Sequence, residues 1–170
     1  MYNKSVKIIS FKKGVGLVEI IIGSSIIALT ISVLLFVYVL VSRFAMNNIS
    51  TLKAVQLGEE TVEVLKFLRS LSWQNQISPL AIGTTYHPYF DTNYSPSRWT
   101  ATTSNIMLED FYTVSFVLSS VYRDQSHNIV SSGGSLDSNS RKVNVSVSWR
   151  QEGATTTKSF ESYLFNIFNN

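Results

Sequence analysis

The chain contains no cysteine. Thiol chemistry, thiolate-held zinc and disulfide staples are therefore excluded, and an exported domain built from it must hold by packing alone. Proline is scarce too: there are three, and none precedes Pro79, so no imino acid interrupts a helix before that point. His87 and His127 are the only histidines, forty residues apart, and neither sits in a metal or triad motif. Glu109-Asp110 is an adjacent carboxylate pair that reads as a solvated loop before a strand. No catalytic centre, metal or cofactor is expected, and the chain is not read as an enzyme.

Charge is sparse and unevenly placed. Charged residues make up 15% of the chain, with a formal net charge of +3. Four lysines, Lys4, Lys7, Lys12 and Lys13, lie within residues 1–14, where there is no acid. Without them the remainder carries ten basic against eleven acidic residues, a balance that gives no sign of a nucleic-acid partner.

What the chain has in abundance is aliphatic sequence. Val15 to Val41 is a run of twenty-seven residues with one charge, Glu19. From Ile20 onward the run is uncharged for twenty-two residues, roughly 33 Å as a helix at 1.5 Å per residue. That matches a hydrocarbon thickness of about 30 Å. The run is too long for a secretory signal core, and Leu40-Val41-Ser42-Arg43 offers no small-residue cleavage site. The basic leader keeps its end cytoplasmic and places everything after Arg43 outside. A carboxylate inside such a segment costs about 2.5–3.5 kcal/mol at the centre of an inserted helix. Glu19, close behind the leader, needs a partner.

Lys12-Lys13-Gly14-Val15-Gly16-Leu17-Val18-Glu19, followed by Ile20-Ile21-Ile22-Gly23, resembles the processing signal of type IV prepilins and pseudopilins. The resemblance implies that a membrane-embedded prepilin peptidase cuts after Gly14 and methylates the new amino terminus at Val15. Glu19 then becomes the fifth residue of the mature chain. The family usually places phenylalanine or methionine first and threonine second, where this chain has Val15 and Gly16. The resemblance assigns Lys12, Lys13, Gly14 and Val15 to processing and Glu19 to filament assembly, where it meets the ammonium of a neighbouring subunit. Such pairing relieves a buried charge that would otherwise stand alone. Small residues, Gly23, Ser24, Ser25 and Ala28, allow close helix approach.

Beyond the run, Leu52 to Trp73 becomes amphipathic. Ala54, Leu57, Val64, Leu65, Leu68 and Leu71 share one side of a 3.6-residue wheel, with Thr61 between them, and Glu59, Glu63 and Lys66 lie opposite. One helix is expected from about Val15 to about Trp73, with Gly58 a weak point of about 1 kcal/mol relative to alanine. After Trp73 the period becomes 2. Strands are expected near Thr84–Phe90, Ser97–Thr102, Phe111–Tyr122, Lys142–Arg150 and Thr157–Phe168. A turn falls at Glu152-Gly153, and a bulge near Tyr163-Leu164-Phe165 is expected to mend the last strand. Arg123–Ser140 reads as the longest irregular loop, and Asp137 and Asn139 in it read as turn residues rather than calcium ligands. Tyr86-His87-Pro88-Tyr89-Phe90, Tyr94 and Arg98-Trp99 read as sheet residues and a strand-end cluster, with stacking on sugars or bases as the alternative.

The expected fold class is α+β, a long helix packed on an antiparallel sheet, which the resemblance makes pilin-like. The expected organisation is a leader at 1–14, a transmembrane and filament-core helix at 15–42, its amphipathic continuation at 43–74 and a sheet head at 75–170. The resemblance implies a minor pilin of a type IV pilus-like filament, the small head without a disulfide favouring a minor subunit. A type II secretion pseudopilin shares the same helix logic, and an uncleaved, membrane-anchored extracytoplasmic binding module is the reading from a different class. The partners it implies are other pilin subunits, prepilin peptidase, an inner-membrane assembly platform and, before assembly, lipid. The implied location is the inner membrane, single-pass with the head outside, and then a surface filament or pseudopilus.

Overall fold

The computed structural model describes residues 16–108, 111–151 and 153–168. Helix α1 spans Leu17–Leu71. A π-helical turn follows at Trp73–Ile77, and then strands β1 (Thr85–Asp91), β2 (Arg98–Thr102), β3 (Met107–Leu108), β4 (Tyr112–Arg123), β5 (Ile129–Val130), β6 (Ser135–Gln151) and β7 (Ala154–Phe165). The chain divides into two compact units, Met1–Met46 and Asn47–Asn170. The boundary falls within α1, so its residues 47–71 belong to the same unit as the sheet.

In the first unit every residue from Leu17 to Val41 is exposed. This stretch lies in the one helix, among the described residues, that is long and apolar enough to cross a membrane. Its serine and threonine hydroxyls are satisfied within the helix: Ser24 and Ser25 donate to the Ile21 carbonyl at 3.0 and 2.7 Å, Thr30 to Ile26 at 2.8 Å and Ser32 to Ala28 at 2.8 Å. No hydroxyl of this set asks for water, so the outside of the stretch suits an apolar solvent.

The second unit is a helix laid on an antiparallel sheet, an α+β arrangement. The strand order is β2-β1-β4-β6-β7, with β3 and β5 also pairing with β4. The alternation read in β4 and β6 becomes register: Tyr112 faces Trp149, Val114 faces Val147, Phe116 faces Val145 and Leu118 faces Val143. Those side chains, with Leu164 of β7, meet Ala54, Val64, Leu65 and Leu68 of α1 in one core. Thr61 is buried among them, its hydroxyl donating to the Leu57 carbonyl at 2.8 Å.

Several expectations are corrected. α1 stops at Leu71, two residues early, because Ser72 is extended (φ −171°, ψ 119°) and accepts from the Asn75 N–H. The chain then turns and buries Trp73 and Ile77, while Leu71 is left 52% exposed. Gly58 is a close-approach glycine and not merely a weak point, because a Cβ there would overlap the Phe160 ring.

The last strand needs no bulge. Its register with β6 is unbroken from Ser140↔Phe165 to Gln151↔Ala154. Leu164 points into the core, and Tyr163 and Phe165 stack together with parallel rings (7°) at 6.3 Å between centroids. The irregularity sits in β6 instead. Ser120 pairs with Arg141 but Val121 pairs with Asp137, so residues 138–140 have no partner on β4, although Ser140 still pairs with Phe165 of β7. The strand resumes to Ser135, which shortens the expected loop at Arg123–Ser140 from its far end. Gly134 passes under β4, where an added Cβ would lie 2.7 Å from the Arg123 carbonyl oxygen. Only glycine fits there.

Candidate functional site

The start of α1 is built by three residues. Gly16 stands just before the helix, and its carbonyl accepts the Glu19 and Ile20 N–H groups at 2.9 and 3.3 Å. Glu19 sits at the third helical position, and its Oε2 accepts the Gly16 N–H at 3.1 Å. This is the carboxylate half of a capping box, a geometry that satisfies one orphan donor and places negative charge at the positive end of the helix dipole. The side-chain half is missing because Gly16 has no hydroxyl. Among the described residues nothing else pairs with Glu19, and it is fully exposed to an outside donor. The four processing residues, Lys12, Lys13, Gly14 and Val15, lie outside the described residues.

Sequence reasoning gave Glu19 its role as a charge and missed its role as a cap. The signal was present: a glycine three positions before a glutamate at the head of an apolar run is half of the cap pattern. Gly23, Ser24, Ser25 and Ala28 follow on the exposed helix, and a Cβ at Gly23 would meet only open space.

The remaining polar residues that drew attention are structural. His87 is buried on β1, with Nδ1 2.6 Å from the Val114 carbonyl oxygen. β1 pairs with β4 only through Thr85↔Val117 and Tyr86↔Phe116. Beyond that point the ladder opens, and the imidazole N–H replaces the missing backbone donor. A carbonyl only accepts, so Nδ1 is the donor in this contact. His127 occupies a turn with φ 66° beyond Arg123. The two histidines meet different ends of β4, about 30 Å apart at 3.3 Å per residue.

Asp137 anchors the β6 irregularity. Its Oδ2 accepts from Arg123 Nε and from the Ser140 hydroxyl, both at 2.6 Å, and its Oδ1 accepts the Asn139 N–H at 3.0 Å. The Arg123 guanidinium first, and Ser140 second, hold its carboxyl below the usual range. Asp124 is held low mainly by the Asn128 side chain, in a turn that also uses the Ser126 N–H. Among the described residues no group of three potential metal ligands comes together. Glu109 and Asp110 lie outside the described residues.

The aromatic segment separates into three places. Tyr86 stacks on Phe116 at 5.8 Å, and its hydroxyl accepts the Ala81 N–H at 3.0 Å. The Arg98 guanidinium lies 3.7 Å over the Tyr94 ring at the hairpin tip. Phe90 and Trp99 meet edge to face at 5.3 Å and form the wall of a groove of about 420 Å³ against α1.

No family model matches the chain, and no curated protein and no solved structure is detectably similar to it.

Proposed function

We propose that the chain is a structural subunit, a minor pilin, of a type IV pilus-like filament, cut after Gly14 by a prepilin peptidase and assembled through its N-terminal helix. The observation that carries this reading is the solitary carboxylate at the head of Leu17–Val41, a stretch of α1 that is otherwise uncharged and exposed at every residue. An ammonium created at Val15 on an adjacent subunit would neutralise Glu19 in the filament, and helix packing would replace lipid contacts. The small-residue patch from Gly23 to Ala28, its hydroxyls already bonded to Ile21, supports close helix approach. A type II secretion pseudopilin is the same proposal at this level of description.

One observation favours the different-class reading, an uncleaved membrane-anchored binding module. Glu19 already has a donor on its own chain, the Gly16 N–H, so a cap alone could account for it. The two readings separate in a single substitution. Glu19→Gln keeps an amide oxygen for the Gly16 N–H and removes the charge. If Glu19 serves assembly, Glu19→Gln and Glu19→Leu are both lost from sheared filament fractions while remaining in the membrane. If it serves only as a cap, Glu19→Gln behaves as the parent does. Intact mass and amino-terminal sequencing of the membrane protein give the independent check. A start at Val15 with one added methyl supports processing, and a start at Met1 in cells with active prepilin peptidase overturns it.

A further inference from the structure

The groove between α1 and the β1–β2 hairpin has mostly apolar walls and, among the described residues, one carboxylate without a partner. Leu57 and Val64 form its floor, and Phe90 and Trp99 stand over it from the sheet. A second, shallower hollow continues past Trp99 along the same helix face to Phe67. Phe90 and Phe67, which line the two hollows, are 46% and 47% exposed. Glu60 borders both hollows.

The carboxylates of this face differ. Glu63 is neutralised by Lys66 at 2.7 Å. Glu60 has no ion-pair or hydrogen-bond partner among the described residues. Lys53 stands at the far end of the groove, about 10 Å away at 1.5 Å per residue, and is itself not free. An unpaired carboxylate that borders the same hollows as Trp99 is complementary to a cation on a long apolar stem. The stem fills the apolar floor, while the charged head meets the carboxylate and the ring face together.

We propose that this groove receives an arginine or lysine side chain of a partner polypeptide, with its methylenes along Leu57 and Val64 and its charged head between Trp99 and Glu60. The groove lies wholly in the second unit, so the inference requires neither cleavage nor polymerisation. Neutral sugars, which aromatic faces also stack, gain nothing from the charge of Glu60, and an uncharged aliphatic side chain leaves it unused.

The test uses the full chain in a nonionic detergent, labelled with 5-fluorotryptophan. Trp73 and Trp149 are buried and serve as internal references for Trp99, whose fluorine signal is assigned with Trp99→Phe. Acetyl-arginine amide is expected to shift the Trp99 signal alone, saturating in the millimolar range. Glu60→Gln, on an exposed position that leaves thermal unfolding unchanged, is expected to weaken the response by up to about fivefold, the size of an exposed ion pair. Added salt is expected to weaken the parent but not the variant. Absence of a saturable shift, an equal response in Glu60→Gln, or an equal response to acetyl-norleucine amide or to methyl glucoside would overturn the proposal.

Discussion

At Gly58 two residue-scale effects oppose one another. An alanine would help an isolated helix by about 1 kcal/mol, but its methyl would overlap the Phe160 ring of β7. Overpacking of this kind costs about 1–3 kcal/mol, so Gly58→Ala should lower stability by about 1 kcal/mol net. Shrinking the ring in a Gly58→Ala, Phe160→Val pair should return part of that loss. Denaturant midpoints of the two variants check the sign, and additive losses would mean that the two side chains do not compete. The helical wheel marked Gly58 only as a propensity defect. Wheels record which side a residue faces, whereas the distance to the opposing strand is set by the packed unit.

The strand elements were largely legible. β4 and β6 alternate cleanly because one face is buried and the other wet, and the period of 2 writes that directly into residue type. Their pairing could not be read in full, because residues 138–140 of β6 skip their partners on β4 through polar side chains with no periodic signature. Asp137 holds that irregularity and supplies a pH test. Its carboxyl is depressed in the fold by Arg123 and Ser140, so ionised Asp137 stabilises wherever the pH exceeds the unfolded value of about 4. That contribution disappears as the pH falls from there through the lower folded value. Asp137→Asn should cost about 2 kcal/mol at pH 7, since hydrogen bonds to charged groups are removed. It should also flatten the acid limb of the stability curve below pH 4. A variant with the same acid limb as the parent would show that Asp137 does not carry it.

At the scale of the whole molecule, the two units differ in what they bury. The Asn47–Asn170 unit contains the buried core, while Leu17–Val41 buries nothing within the protein. A chain beginning at Asn47 is therefore expected to remain folded and soluble without detergent, with the near-ultraviolet dichroism of Trp73 and Trp149 retained. The full chain should partition into bilayers and resist carbonate extraction. Aggregation of the shortened chain, or loss of its aromatic dichroism, would show that the first unit is needed to hold the second together.

Hydropathy, charge order and periodicity determined, from sequence alone, an apolar helix of membrane length behind a basic leader, its amphipathic continuation and the main sheet strands. Each of these is a local pattern, because burial repeats at 3.6 or 2 residues and lipid selects by length. Tertiary structure alone decided where α1 ends, how Gly58 admits Phe160, how His87 closes the opened ladder, and that Trp99, Phe90 and Glu60 share one groove. The contacts of His87 with Val114 and Gly58 with Phe160, and the shared groove of Glu60 and Trp99, join residues separated by between 27 and 102 positions in this chain. Their geometry depends on sheet register and on the distance between helix and sheet, which no single segment encodes.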